Sequence, residues 1–167
     1  YGADPHLPAP QSGVIPTIHT AVVTPWPANA TPQAPSGYTV TRYAEGLQHP
    51  RFISLLPNGD VLVVESSTQA SSGGGVTEWV ANQVQRNAGA LAESANRITI
   101  LRDANRDGVV DYHGVFATGL NQPFGVVALG NFIYVANTDG VVRFPYTTGV
   151  TSVSNGQQVV ALPHRAG

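Results

Sequence analysis

The sequence predicts an all-β fold, a β-propeller assembled from four-stranded units. Three observations point to it. Gly46-Leu47-x-x-Pro50 recurs as Gly119-Leu120-x-x-Pro123, and each copy runs into an apolar stretch, a tight polar break and a second apolar stretch. Glycine and proline are abundant (18 and 13) while charged residues are 11 % of the 167, well under the ~25 % usual for soluble domains. Short β-branched runs separated by turn residues fill the chain from Tyr38 onward, as strands joined by tight turns require. Units that repeat a heading and then a four-stranded meander pack side by side in a propeller, whereas a sandwich, the rival all-β reading, spaces its strands without such a heading.

Taken in order, residues 1–37 hold most of the prolines and cannot pair as a central strand. They read as an extended arm or linker, with Trp26 and Ala21-Val22-Val23 as docking points. Tyr38–Ala44 is β-rich and predicts a strand. A first blade over 46–118 starts with strands at 51–56 and 60–65, joined by the turn residues Pro57-Asn58-Gly59. Ser71-Ser72-Gly73-Gly74-Gly75 is a flexible break. Val76, Val80, Val84 and Ala88 then recur every fourth residue and predict a short helix over 76–90, inserted into the blade. Strand patterns resume at 97–101 and 109–117. The second blade, 119–163, carries strand patterns at 124–129, 132–136, 141–144 and 158–162. The headings are further apart than the ~40–50 residues of a typical blade, and the inserted break and helix account for the excess.

Composition excludes several function classes. With no cysteine, the chain offers neither disulfides nor thiolate metal ligands. A net charge of −2 gives no basic footprint for nucleic acid, and no run of ~18 apolar residues spans a membrane. The sequence lacks methionine, so a processed or cut product is expected. Low charge and absent cysteine favour a periplasmic or secreted protein. Asn29-Ala30-Thr31 is either a glycosylation sequon or a chance triplet. A propeller closes with about 4–8 blades, so two predicted blades call for further blades or other copies of the chain as partners.

The sharpest local motif is Asp103-Ala104-Asn105-Arg106-Asp107-Gly108-Val109-Val110-Asp111. Asp103, Asn105, Asp107 and Asp111 stand at the oxygen-ligand spacing of a Ca²⁺ loop, with Gly108 at the sharp turn. Gly114 replaces the usual bidentate glutamate, and the other reading is a strand-to-strand turn. His19, His49 and His113 show no metal-ligand spacing. Glu65 ends a strand and could face the propeller channel, but a single carboxylate is thin support for acid–base work.

Four stretches together resemble the sorbosone dehydrogenase-like family of pyrroloquinoline quinone (PQQ)-dependent sugar dehydrogenases. They are GLQHPRFISLLPNGDVLVVES (46–66), SANRITILRDANRDGVVD (94–111), VFATGLNQPFGVVALGNFIYVANTDGVVRFPY (115–146), and LPAPQSGVIPTI with WPANATP in the arm. The resemblance implies a six-bladed propeller, of which this chain matches the N-terminal portion, about two blades. It implies an oxidoreductase that passes a hydride from a sugar or aldehyde to PQQ, with Ca²⁺ holding the cofactor. Arg51 would pair with a PQQ carboxylate, and Asn121 or Gln122 would hydrogen-bond the quinone edge. Alternatively, these residues finish the turn before the inner strand. His164 lies near the family's base-bearing segment but lacks the surrounding motif, so no catalytic residue is assigned and the chain by itself is expected to be inactive. The alternative function is a non-catalytic propeller segment with a structural or protein-binding role, assembling through open blade edges.

Overall fold

The computed structural model describes residue 27 and residues 30–68, 75–87 and 93–163. Trp26, the 29–31 sequon as a whole, most of the Gly-rich break, the last turn of the expected helix, His19 and His164 lie outside the described residues.

Two four-stranded antiparallel meanders make up the fold. In the first, β1 (Pro50–Leu55) turns through residues 56–60 into β2 (Val61–Glu65). Gly59, with φ 95°, permits that turn, and Leu56 N–H closes it on the Asp60 carbonyl at 2.8 Å. The helix α1 (Val76–Asn87) follows, then β3 (Arg97–Arg102) and β4 (Tyr112–Ala117). In the second, β5 (Gly125–Leu129), β6 (Phe132–Asn137), β7 (Gly140–Pro145) and β8 (Gln157–Ala161) pair in sequence order. Gly140 is required where β7 meets β8, since a Cβ there would stand 2.1 Å from the Val160 carbonyl oxygen.

Period-two alternation decides which faces meet. Leu62 and Val64 on β2 and Ile98 and Ile100 on β3 share a face with Phe116 of β4. They pack against Val126, Ile133, Val135 and Phe144 of the second sheet in one core. Each fully buried aliphatic side chain contributes roughly 1.5–3 kcal/mol. Phe116 and Tyr146 meet edge to face across the join, with ring centroids 6.4 Å apart. Val153 N–H donates to the Phe116 carbonyl at 2.8 Å. Buried Asp60 receives both Nε and Nη2 of Arg102 at 2.7 Å, and the same Nη2 reaches the Gly149 carbonyl at 2.9 Å. The guanidinium therefore ties the first sheet to the β7–β8 connection and holds the Asp60 carboxyl below its ordinary pKa.

Two strand expectations change. Residues 38–44 form no strand. Their composition suits one, but no ladder partner pairs with them, and Tyr38 is 77 % exposed. The helix is present over Val76–Asn87, with Trp79 and Val80 exposed on it. The strand expected from 109 begins at Tyr112, because residues 103–111 form a turn that Asp111 N–H closes on the Arg102 carbonyl.

Candidate functional site

The repeated heading is a repeated backbone. Gly46 and Gly119 have φ of 72° and 70°, and the residues before the two prolines, His49 and Gln122, have φ of 49° and 45°. A non-glycine residue in the left-handed region is uncommon, and here it occurs twice at the same place. Each heading drops the chain into the first strand of its sheet, β1 or β5.

Polar groups collect where the first heading meets the ends of β2 and β3. Glu65 is fully buried. Its carboxylate accepts Arg97 Nε at 3.0 Å and Nη2 at 3.1 Å, and also the Thr99 hydroxyl and the Gln48 backbone N–H. Burial pushes the carboxyl pKa up, but those four donors prevail and hold it below the ordinary glutamate value. Glu65 is thus a fixed anion that locks the heading onto the sheet, an arrangement unlike a poised acid or base.

Beside it, Ser66 Oγ donates to the Pro123 carbonyl at 2.6 Å, carrying the corner across to the second heading. Ser67 N–H donates to Ser94 Oγ at 2.9 Å, and Ser94 Oγ in turn to Asn96 Oδ1 at 2.7 Å. Gln122 N–H reaches the same Asn96 oxygen at 3.1 Å, and Gln122 Nε2 donates to the Ser67 carbonyl at 3.2 Å. An open cleft of about 870 Å³ lies over this network, lined by Leu47, Gln48, His49, Ser94 and Arg97 among others. A smaller hollow of about 230 Å³ is lined by His49, Pro50, Arg51, Ser66, Ser67 and Thr68. Exposed Arg51 makes no ion pair among the described residues.

The residues singled out in the sequence are placed as follows. Arg51 and Gln122 both border Ser67. Asn121, adjacent in sequence, lines a different cleft of about 430 Å³ and donates its Nδ2 to Asp139 at 2.8 Å. Asp103, Asn105, Asp107 and Asp111 lie in an exposed turn away from the corner. Asp103 accepts the N–H groups of Asp107 and Gly108 at 3.2 and 2.8 Å, and Asp107 accepts that of Val109 at 2.8 Å. Asp111 accepts that of Ala104 at 2.6 Å. These carboxylates serve the turn's own amides, and among the described residues no three Asp, Glu or His side chains are placed to hold a metal ion. The loop lies close enough to Tyr43 that Asp103, Asp60 and Asp111, after partial burial, raise its phenol pKa. Ser66, Ser67, Ser94 and Asn96 escaped the sequence reading; the one local signal was the run Ser94-Ala95-Asn96 before a strand.

The second sheet repeats the corner with other residues in place of Glu65 and Arg97. Phe52 opposes Val64 in the first sheet, as Gly125 opposes Ala136 in the second. Glu65 therefore corresponds to Asn137, and Arg97 to Gly140, because these pair across their strands in the same way. Asn137 is buried like Glu65, but its Oδ1 has no hydrogen-bond partner among the described residues. Among the described residues, the Glu65–Arg97 pair thus has no ionic counterpart at these positions of the second sheet.

No curated protein and no solved structure matches the chain. A family model described as a domain of unknown function, DUF7133, matches residues 31–159, from ahead of β1 into β8 and well over half of the chain. Both sheets and the corner between their headings fall within that match, and the chain belongs to the DUF7133 family.

Proposed function

We propose that the two sheets are adjacent blades of a β-propeller serving a PQQ-dependent dehydrogenase of sugars or aldehydes of the sorbosone type, in a periplasmic or secreted setting. The observation that carries this reading is the corner itself. Two headings of the same backbone form meet there, and Arg51, without an ion pair among the described residues, shares a hollow with Ser66 and Ser67, the carbonyl of Ser67 accepting the Gln122 side-chain amide. Propellers gather such inner-strand connections around the mouth of their channel.

Arg51 and Gln122 fit a polyanionic quinone cofactor. The Arg51 guanidinium has no counter-ion among the described residues and suits a carboxylate. Gln122 spends one N–H on the Ser67 carbonyl and keeps the other for a carbonyl edge. Asn121 is turned onto Asp139 and is not assigned to this role. When bound, PQQ supplies the chemistry by accepting the hydride. Glu65 and Arg97 hold the floor of the corner rigid, which cuts the cost of ordering a ligand there. Calcium, which the resemblance pairs with PQQ, is given no ligand at this corner, because the oxygen-rich loop at 103–111 lies away from it. No residue of this chain is assigned as the base.

The test is dye reduction by the full-length propeller that carries these two blades, and not by the 167-residue chain alone, supplied with PQQ and calcium and offered aldoses and aldehydes. Substrate-dependent reduction that needs PQQ is the expected result, and no reduction with any of these substrates contradicts the proposal.

A further inference from the structure

The two headings share a backbone form but are held by different partners. In the first, the left-handed residue is His49, and its carbonyl accepts Ser66 N–H at 3.3 Å. In the second, the left-handed residue is Gln122, and it is held at both its backbone and its side chain. Its N–H donates to Asn96 Oδ1 at 3.1 Å, and its Nε2 donates to the Ser67 carbonyl at 3.2 Å. A backbone N–H can only donate, so the Asn96 atom facing it is the amide oxygen. That oxygen also accepts Ser94 Oγ at 2.7 Å, and Ser94 Oγ in turn accepts Ser67 N–H at 2.9 Å. Gln122, Asn96, Ser94 and Ser67 thereby close a ring of hydrogen bonds. Every bond of the ring lies within residues 67–122, so it is complete whatever packs on the outer faces of the sheets.

Asn96 is itself anchored. Its φ is 45°, a left-handed value that asparagine, aspartate and glycine tolerate better than other residues. The next residue, Arg97, opens β3 and is bound to Glu65 through Nε and Nη2. Gln122 at φ 45° belongs to none of those tolerant types, and such a conformation persists only where the surroundings hold it. We infer that Asn96 is a positioning residue of the corner: its amide oxygen holds Gln122 in the left-handed conformation and so fixes where the Gln122 side-chain amide stands. The run Ser94-Ala95-Asn96 before β3 belongs to the first sheet and sets the heading of the second. The hold on Gln122 is independent of any ligand. Its consequence for PQQ rests on the cofactor reading of this corner.

The experiment is amide hydrogen exchange, read residue by residue, on the full-length polypeptide that carries these two sheets, with Asn96→Gly and Asn96→Asp compared. Glycine keeps the left-handed backbone and removes the oxygen, whereas aspartate keeps both. The expected result is exchange at Gln122 about tenfold faster in Asn96→Gly, as loss of one hydrogen bond produces, and unchanged in Asn96→Asp. Ile100 and Leu101, paired with both β2 and β4, report any general loss of stability and should keep their rates. Equilibrium dialysis of PQQ then reads the consequence for a ligand. Asn96→Gly should weaken binding about threefold, and no further in a protein already carrying Gln122→Met, because the effect passes through Gln122. Unchanged exchange at Gln122, or an equal increase at Ile100 and Leu101, overturns the assignment of Asn96. Binding that Asn96→Gly leaves unchanged, or weakening that persists beside Gln122→Met, overturns its action on the cofactor through Gln122. Absence of PQQ binding in the unmodified protein overturns the cofactor reading instead, and the exchange rates then decide on Asn96 alone.

Discussion

Replacing Arg97 by methionine is expected to destabilise the fold by roughly 2–3 kcal/mol at neutral pH. The guanidinium supplies two of the four donors that hold the fully buried Glu65 carboxylate, and methionine keeps the packing of the stem while removing both. Breaking a fully buried pair costs about 3–5 kcal/mol because it strands a charge. The lower figure applies here because the Arg97 side chain keeps 26 % of its surface in solvent. The pH dependence should also change sign. In the unmodified protein the Glu65 pKa lies below its ordinary value, so its contribution is fully present above about pH 4.3 and is lost as pH falls through the folded value. Without Arg97, burial dominates and the folded pKa rises above the unfolded one. The variant then gains stability on acidification from neutral pH. Urea unfolding at pH 7 and pH 5 checks both statements. The double variant Glu65→Gln, Arg97→Met should recover part of the loss, since no charge remains buried. If Arg97→Met unfolds like the unmodified protein, the fixed-anion account of the corner is wrong.

Replacing Phe116 by alanine is expected to cost about 3–5 kcal/mol. Phe116 is 1 % exposed, on the last strand of the first sheet, with its ring edge against Tyr146 of the second. The ring removed lies in the core that the two sheets share, while the Val153 N–H bond to the Phe116 carbonyl involves backbone that alanine preserves. The cost is therefore a cavity and lost apolar burial. A urea midpoint lowered in proportion, with one cooperative transition retained, is the expected result. A loss below about 1 kcal/mol would mean that the two sheets do not share a core.

Much of this architecture was legible in the chain. The Gly-Leu-x-x-Pro heading marked both units because glycine and proline punctuate backbone directly. The strands after it showed themselves as apolar runs between turn residues. Residues 38–44 misled because β propensity describes a side chain's fit to a pleated surface, and no neighbouring strand supplies that surface here. The four-residue spacing in the helix correctly indicated α1 but not its environment, since Trp79 and Val80 face solvent. At the corner, Glu65 and Arg51 were visible as residue types. The serine and asparagine network was not, because its partners lie far apart in sequence, as Ser66 and Pro123 do, and meet only once both sheets are folded. In the oxygen-rich run at 103–111 the carboxylates accept the loop's own amide N–H groups, partners that the residue spacing does not specify.

The account is tested most directly by equilibrium dialysis of PQQ against the full-length propeller that carries these two blades, with and without Arg51→Ala. Arg51 is exposed and unpaired among the described residues, so its removal leaves the fold intact to within about 0.5 kcal/mol. The prediction is saturable binding that the substitution weakens about tenfold, as loss of a charge-assisted contact of about 1.4 kcal/mol would produce. No saturable binding, or binding that ignores Arg51, would contradict the assignment of this corner to the cofactor.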